Sequence, residues 1–249
     1  MNLTNVIYKG NGKTVYRDGD KAIKVFDRTY SKASVLNEAL NQARVEETKI
    51  NVPCVLEVAM VDGCWAIVFE FIEGKTLEQL IREHPKKIKH YIDIMIDLQL
   101  QIHENRCPHL PTLRDRMLNK ISQTNFDESV KYELQSRFDG LQQSHDKLCH
   151  GDFHPRNILV HPNGKHYVLD WGHATQGNSH AETARTYLMY LLENKKEEGE
   201  YYLNRFCELA NIPRQHIEKW MRIVAAAHSL KATDAYMNII NNIVDVFEH

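Results

Sequence analysis

The sequence predicts an α+β chain: a strand-rich N-terminal part followed by a longer helical part. Three observations carry this. Residues 1–72 contain short apolar runs separated by Gly- and Asp-bearing turns, the pattern of antiparallel strands. From Thr76 onward apolar residues recur at helical spacing, as at Ile88, Ile92, Met95, Ile96, Leu98 and Ile102. A polar loop and two further apolar runs interrupt the helices between Leu148 and Gly172. Runs of strands followed by runs of helices define the α+β class.

The strands come first. Val6-Ile7-Tyr8 and the run 14–17 flank Lys9-Gly10-Asn11-Gly12-Lys13 and predict a hairpin. Asp18-Gly19-Asp20 turns the chain into a third strand, Lys21–Phe26. Alternation puts Ala22, Lys24 and Phe26 on one face and Ile23 and Val25 on the other. A helix follows over 34–48, with Val35, Leu36, Ala39, Leu40, Ala43 and Val45 as its apolar positions and Glu38 projecting from it. Runs 55–60 and 65–72, joined at Asp62-Gly63, predict two more strands. The second leads into Glu73-Gly74-Lys75-Thr76-Leu77, where Thr76 is placed to cap a helix.

Helices predicted beyond this point cover 76–84, stopped by Pro85, then a core helix near 88–102. His103 at its end is read as a packed histidine. Pro108 and Pro111 break the chain before helices at 112–122 and 127–141. Further helices are expected at 199–210, at 213–231 with Pro213 in the first turn, and along the tail to His249.

The chain is organised around Leu148-Cys149-His150-Gly151-Asp152-Phe153-His154-Pro155-Arg156-Asn157-Ile158-Leu159-Val160 and the following Tyr167-Val168-Leu169-Asp170-Trp171-Gly172. Gly151 and Pro155 keep the first piece out of a helix. His161-Pro162-Asn163-Gly164 makes the turn between two apolar strands. Such a hairpin is expected to bring Asp152, Asn157 and Asp170 to one end of paired strands. Two carboxylates and an amide are hard oxygen donors and suit Mg²⁺ carrying a nucleotide. His150 and His154 flank Asp152, but without a helix or a distant third ligand they place zinc well below Mg²⁺.

Asp152 and Asn157 are five positions apart, as in the kinase catalytic loop H-R-D-x-x-x-x-N, and Asp170 follows as the metal-binding Asp does there. With His150-Gly151-Asp152 in place of His-Arg-Asp and Asp170-Trp171 in place of Asp-Phe-Gly, the chain resembles the aminoglycoside phosphotransferase and choline kinase-like family. The resemblance implies a two-lobed protein kinase-like fold with a small, mainly antiparallel β N-lobe carrying one helix and a larger helical C-lobe. The lobes would be 1–72, with a hinge at about 70–74, and 75–249. It implies ATP-dependent transfer of the γ-phosphate to a hydroxyl of a small molecule. Asp152 would be the catalytic residue, accepting or orienting the hydroxyl proton, and Asn157 and Asp170 the Mg²⁺ ligands. Lys24 would grip the phosphates, as the Lys of V-A-I-K does, with Glu38 pinning it. Backbone groups near Glu70 and Ile72 would receive the adenine. Glu182-Thr183-Ala184-Arg185-Thr186 is similar to the family's "D-x-A-R-T" helix start, with Glu182 in place of Asp, and is expected to brace a loop.

Totals narrow the setting. The 249 residues suffice for two lobes with cores, and a net charge of -2 argues against a nucleic-acid binder with a broad basic face. No apolar run has the length of a membrane span, and the first residues have neither the basic start nor the apolar core of a signal peptide. Five scattered cysteines without C-x-x-C fit a reducing cytoplasm. A monomer acting on a small-molecule hydroxyl acceptor, without nucleic acid or membrane as partner, is expected. A protein-kinase-like enzyme and a nucleotide-binding scaffold are the alternatives. Acceptors in the family are aminoglycosides, choline, ethanolamine, sugars and thiamine. An acidic pocket for a polycation would draw on Glu182, Asp234, Asp245 and Glu248.

Overall fold

The computed structural model describes residues 1–10, 12–141 and 146–245; Asn11 and Glu248 lie outside these, as does the end of the expected tail helix. The chain divides into two units, Met1–Glu83 with Pro155–His173 and His84–His154 with Ala174–His249. Elements are numbered along the chain.

The first unit holds β1 (Asn5–Gly10), β2 (Lys13–Asp18), β3 (Lys21–Phe26), α1 (Lys32–Glu46), β4 (Val55–Val61), β5 (Cys64–Glu70), β6 (Lys75–Thr76) and α2 (Leu77–Glu83). β1 to β5 form one antiparallel sheet in the order β1-β2-β3-β5-β4. The period-two pattern sets its faces. Phe26 and Ile67 pack with Val35 and Ala39 of α1 on one side. Ile23, Ala66 and Val68 cluster on the other. Lys24, two residues before Phe26, therefore emerges on the α1 side.

Ser31 caps α1 by accepting the Ser34 N–H at 3.1 Å. Leu36 and Leu40, expected on the apolar face, are exposed. Asn41 and Gln42 are buried in their place, donating to the carbonyls of Gly172 (3.3 Å) and Pro53 (2.8 Å). A buried amide is tolerated because it ties down a loop carbonyl. At α2, Thr76 Oγ1 accepts from the Gln79 N–H at 3.2 Å while Gln79 Oε1 accepts from the Thr76 N–H at 2.8 Å, a reciprocal capping box.

The same unit contains the expected hairpin, shorter than its apolar runs: β8 (Ile158–Val160) pairs with β9 (His166–Val168), and β8 also pairs with β6. Gly74 passes close to that pair. A Cβ there would lie 2.4 Å from the Val160 carbonyl oxygen, and its φ of +150° is one L side chains rarely adopt.

The second unit is built on α3 (Ile88–Glu104), α4 (Leu113–Ser122), α5 (Glu128–Gly140), α6 (Ser179–Leu192), α7 (Lys196–Ala210), α8 (Arg214–Glu218), α9 (Met221–His228) and α10 (Asp234–Asp245). α3 buries Ile92, Met95, Ile96 and Ile102 and packs on α7; α9 is contacted by α4, α5, α6 and α10. The single helix expected over 213–231 is broken. Pro213 stands just outside α8 as its extended N-cap residue, and Ser229–Lys231 form a 3₁₀ turn after α9. At the break Trp220 turns inward and meets Phe138 edge-on at 5.5 Å. The loop expected at 172–178 contains a strand, β10 (Thr175–Gly177), paired with β7 (Lys147–Cys149). Three residues are too few to carry a readable alternation. Among the described residues no helix is long and apolar enough to cross a membrane.

Candidate active site

The residues singled out in the sequence fall into two groups, one in each unit. In the first, Lys24 Nζ lies 2.6 Å from Glu38 Oε1 and 3.0 Å from Asp170 Oδ1. Glu46 and Glu47, the other acids on this helix end, are elsewhere: Glu46 accepts the Val55 N–H at 2.7 Å, and Glu47 is the exposed C-cap. Burial favours loss of the Lys24 proton, but the carboxylates of Asp170 and Glu38 outweigh it and hold the amine above its ordinary range. A buried cation flanked by two carboxylates is thus kept charged.

Lys13 was not singled out by the sequence, yet its Nζ sits 3.0 Å from Glu38 Oε2. Its cross-strand partner is Phe26, so it shares the face of Lys24. That signal lies in the strand register, which the sequence alone does not print. Gly172 also shapes the group. A Cβ on it would meet Glu38 Cγ at 2.9 Å and Cδ at 3.0 Å, so the glycine is what lets Glu38 approach.

Asn157 and Asp170 stand at one end of the β8–β9 hairpin. The Leu169 N–H donates to the Asn157 carbonyl at 2.8 Å, next to the Ile158–Val168 pair. Asp170 has a left-handed φ of +61°, a conformation that Asp accepts more readily than most residues. The turn swings its carboxylate out of the strand line toward Lys24, while Trp171 is buried and donates its indole N–H to the Val168 carbonyl at 3.0 Å. A carboxylate and an amide oxygen at one hairpin end are a hard donor pair, compatible with Mg²⁺.

Glu70 closes β5, and Ile72 follows it. The Glu70 N–H is taken by the Cys54 carbonyl at 2.9 Å and the Phe71 N–H by the Asp20 carbonyl at 2.8 Å. The Arg17 guanidinium covers the Phe71 ring at 4.1 Å. A cavity of about 470 Å³ beside this segment is lined by residues including Arg17, Asp20, Glu70, Ile72, His161 and Tyr167.

The second group surrounds Asp152. Arg185 Nη2 donates to Asp152 Oδ1 at 2.7 Å, and His154 Nε2 lies 3.3 Å from Oδ2. Burial pushes the Asp152 carboxyl up, but the His154 hydrogen bond and the charge of Arg185 win and hold it well below the ordinary carboxylate range. Asp152 is therefore a carboxylate, and a weak base.

The loop that carries it is clamped by one face of α6. Arg185 and Thr186 follow Glu182 by three and four positions, so both lie beside it on the helix surface. Glu182 Oε1 accepts the Gly151 N–H at 2.6 Å, Arg185 takes Asp152, and the Thr186 hydroxyl donates to the Phe153 carbonyl at 3.0 Å. Glu182 and Arg185 do not pair with each other; each goes to the loop. The other oxygen of Glu182 lies 2.7 Å from His103 Nε2, and both residues are buried. His103 is a hydrogen-bonded core residue. His150 is fully buried beside Phe153, and its Nδ1 accepts the Asp152 N–H at 3.1 Å.

A family model described as the phosphotransferase enzyme family matches residues 8–219. Solved structures align over nearly the whole chain. A thermostable mutant of the aminoglycoside phosphotransferase APH(4)-Ia, in a ternary complex with AMP-PNP and hygromycin B, is 16% identical at a TM-score of 0.67, with 98% of this chain and 93% of that chain covered. The choline kinase LicA from Streptococcus pneumoniae is 17% identical at a TM-score of 0.63, covering 97% and 93%. The aminoglycoside phosphotransferase APH(3'')-Id from Streptomyces rimosus is 15% identical at a TM-score of 0.57, covering 88% and 91%. These likenesses are of fold, and they place the strand-first, helix-after architecture among kinase-like phosphotransferases.

Proposed function

The chain belongs to the phosphotransferase enzyme family, and on that premise we propose that it moves the γ-phosphate of ATP to a hydroxyl of a small molecule. The observation that carries this reading is Lys24, buried and ion-paired with both Glu38 and Asp170. A lysine held charged between two acids is suited to grip the α- and β-phosphates. Glu38 fixes it in place. Backbone groups at Glu70 and Ile72 receive the adenine ring. Asn157 and Asp170 are the residues that would hold Mg²⁺, which when bound neutralises phosphate charge.

Asp152 orients the acceptor hydroxyl and takes its proton late. Its low basicity is no obstacle, because phosphoryl transfer passes through a loose transition state in which alignment and charge neutralisation dominate. Arg185 keeps the carboxylate ionised and fixed. The division into a nucleotide lobe ending at a hinge near 70–74 and a helical acceptor lobe from 75 belongs to this reading, as do a monomeric state and a cytoplasmic setting.

Turnover with Mg-ATP across an acceptor panel tests it. Asp170→Ala is expected to abolish Mg-nucleotide binding. Asp152→Asn is expected to spare that binding and lower kcat. Wild-type turnover in both variants removes the assignment, and ATP binding without turnover on any acceptor turns the reading toward a scaffold.

A further inference from the structure

Lys13 opens β2 opposite Phe26 of β3. The turn residue before it, Gly12, has a φ of +70°, and its carbonyl accepts the Asp27 N–H at 2.8 Å, so the start of β2 is fixed to the end of β3. The Lys13 side chain is only 16% exposed. Its Nζ lies 5.2 Å from the centre of the Phe26 ring and 5.6 Å from that of Tyr30. It also lies 3.0 Å from Glu38 Oε2, while Lys24 Nζ lies 2.6 Å from Glu38 Oε1. One carboxylate thus bridges two amines.

Holding Glu38 in place does not require both amines, because Lys24 does so at the shorter distance. A second ammonium in the same partly buried place adds desolvation and the repulsion of a like charge. An ammonium has three N–H donors. Among the described residues the Lys13 ammonium makes a single hydrogen bond, to Glu38, so two donors remain for another acceptor. Asp27, just after β3, is turned to Thr29, accepting from its N–H at 2.9 Å and from its hydroxyl at 2.5 Å. An anion with several charged oxygens fits two neighbouring amines, and the nucleotide polyphosphate is the one this reaction brings.

We propose that Lys13 is a second phosphate-binding residue, its ammonium held beside that of Lys24 by the shared carboxylate of Glu38 so that both reach the polyphosphate of one nucleotide. The proposal rests on the phosphotransferase reading and adds a residue to its nucleotide site. Lys24 and Lys13 then divide the grip between them, each donating to its own oxygen.

Calorimetry with ATP and with adenosine, each with and without Mg²⁺, tests this on the wild-type chain, on Lys13→Gln and Lys13→Arg, and on Glu38→Gln with and without Lys13→Gln. Lys13→Gln is expected to weaken ATP about tenfold, as losing one charged hydrogen bond does, and to leave adenosine nearly unchanged. Lys13→Arg keeps the charge and should retain most of the ATP affinity, which separates lost charge from lost packing. On the Glu38→Gln background, where the linking carboxylate is gone, Lys13→Gln should weaken ATP again by a similar factor. Unchanged ATP affinity in Lys13→Gln overturns the proposal, and so does an equal loss on adenosine. No further loss on the Glu38→Gln background also overturns it, because that marks a residue acting only through Glu38. A wild-type chain that binds no ATP removes both the proposal and the reading beneath it. ATP binding that depends on Lys13 in the expected way, with no transfer to any acceptor, keeps the residue's role and removes the phosphotransferase reading instead.

Discussion

Arg185 Nη2 donates to Asp152 Oδ1 at 2.7 Å, joining the middle of α6 to the loop that carries the candidate catalytic carboxylate. Both side chains are largely buried, so the pair is worth more than a surface ion pair. Arg185→Met is expected to destabilise the fold by about 1–3 kcal/mol near neutral pH. The pH dependence has a definite sign. The folded Asp152 carboxyl is held below its ordinary 3.8, so its contribution is complete above that value and is lost as pH falls beneath it. Denaturant melts of both proteins from pH 7 downward should show their difference shrinking below about 3.8. A constant difference refutes the pairing as the source of stability.

Gly172 and Glu38 predict a coupled pair. A methyl at Gly172 falls 2.9 Å from Glu38 Cγ, too close for a well-packed site. Gly172→Ala should lose about 1–3 kcal/mol and weaken nucleotide binding, because Glu38 is displaced from Lys24. Glu38→Asp draws the acid back by one methylene and should recover part of the stability in the double variant. Additive effects in the four-protein cycle speak against a shared contact.

Glu182 bonds to two partners at once, and substitutions sort them. Glu182→Ala leaves His103 and the Gly151 N–H without their acceptor, and a loss of about 3–5 kcal/mol is expected. Glu182→Gln keeps an oxygen for Gly151 and should lose less. Amide exchange at Gly151 is the sharper measurement. It should quicken strongly in the alanine variant and only slightly in the glutamine one, and equal rates in the two count against the clamp.

Much of this is legible in the sequence. Strand alternation placed Lys24 on the face of Phe26, away from Ile23 and Val25, and the sheet has those faces. Turn residues marked the β8–β9 hairpin, and Thr76 marked a helix start. Periodicity misled where polar side chains had partners inside. Asn41 and Gln42 of α1 displaced Leu36 and Leu40 from the buried face because loop carbonyls were waiting for them.

The sequence alone determined the order of elements, the identity of the motif residues and the chemistry that Asp152, Asn157, Asp170 and Lys24 offer, since propensity, period and donor type are local properties. Only the tertiary structure decided their partners. Lys13 on Glu38, Gly172 beneath it, Arg185 on Asp152 and Glu182 on Gly151 join residues far apart in the chain. Those pairings follow from strand register and helix packing, which set distances that no local pattern encodes.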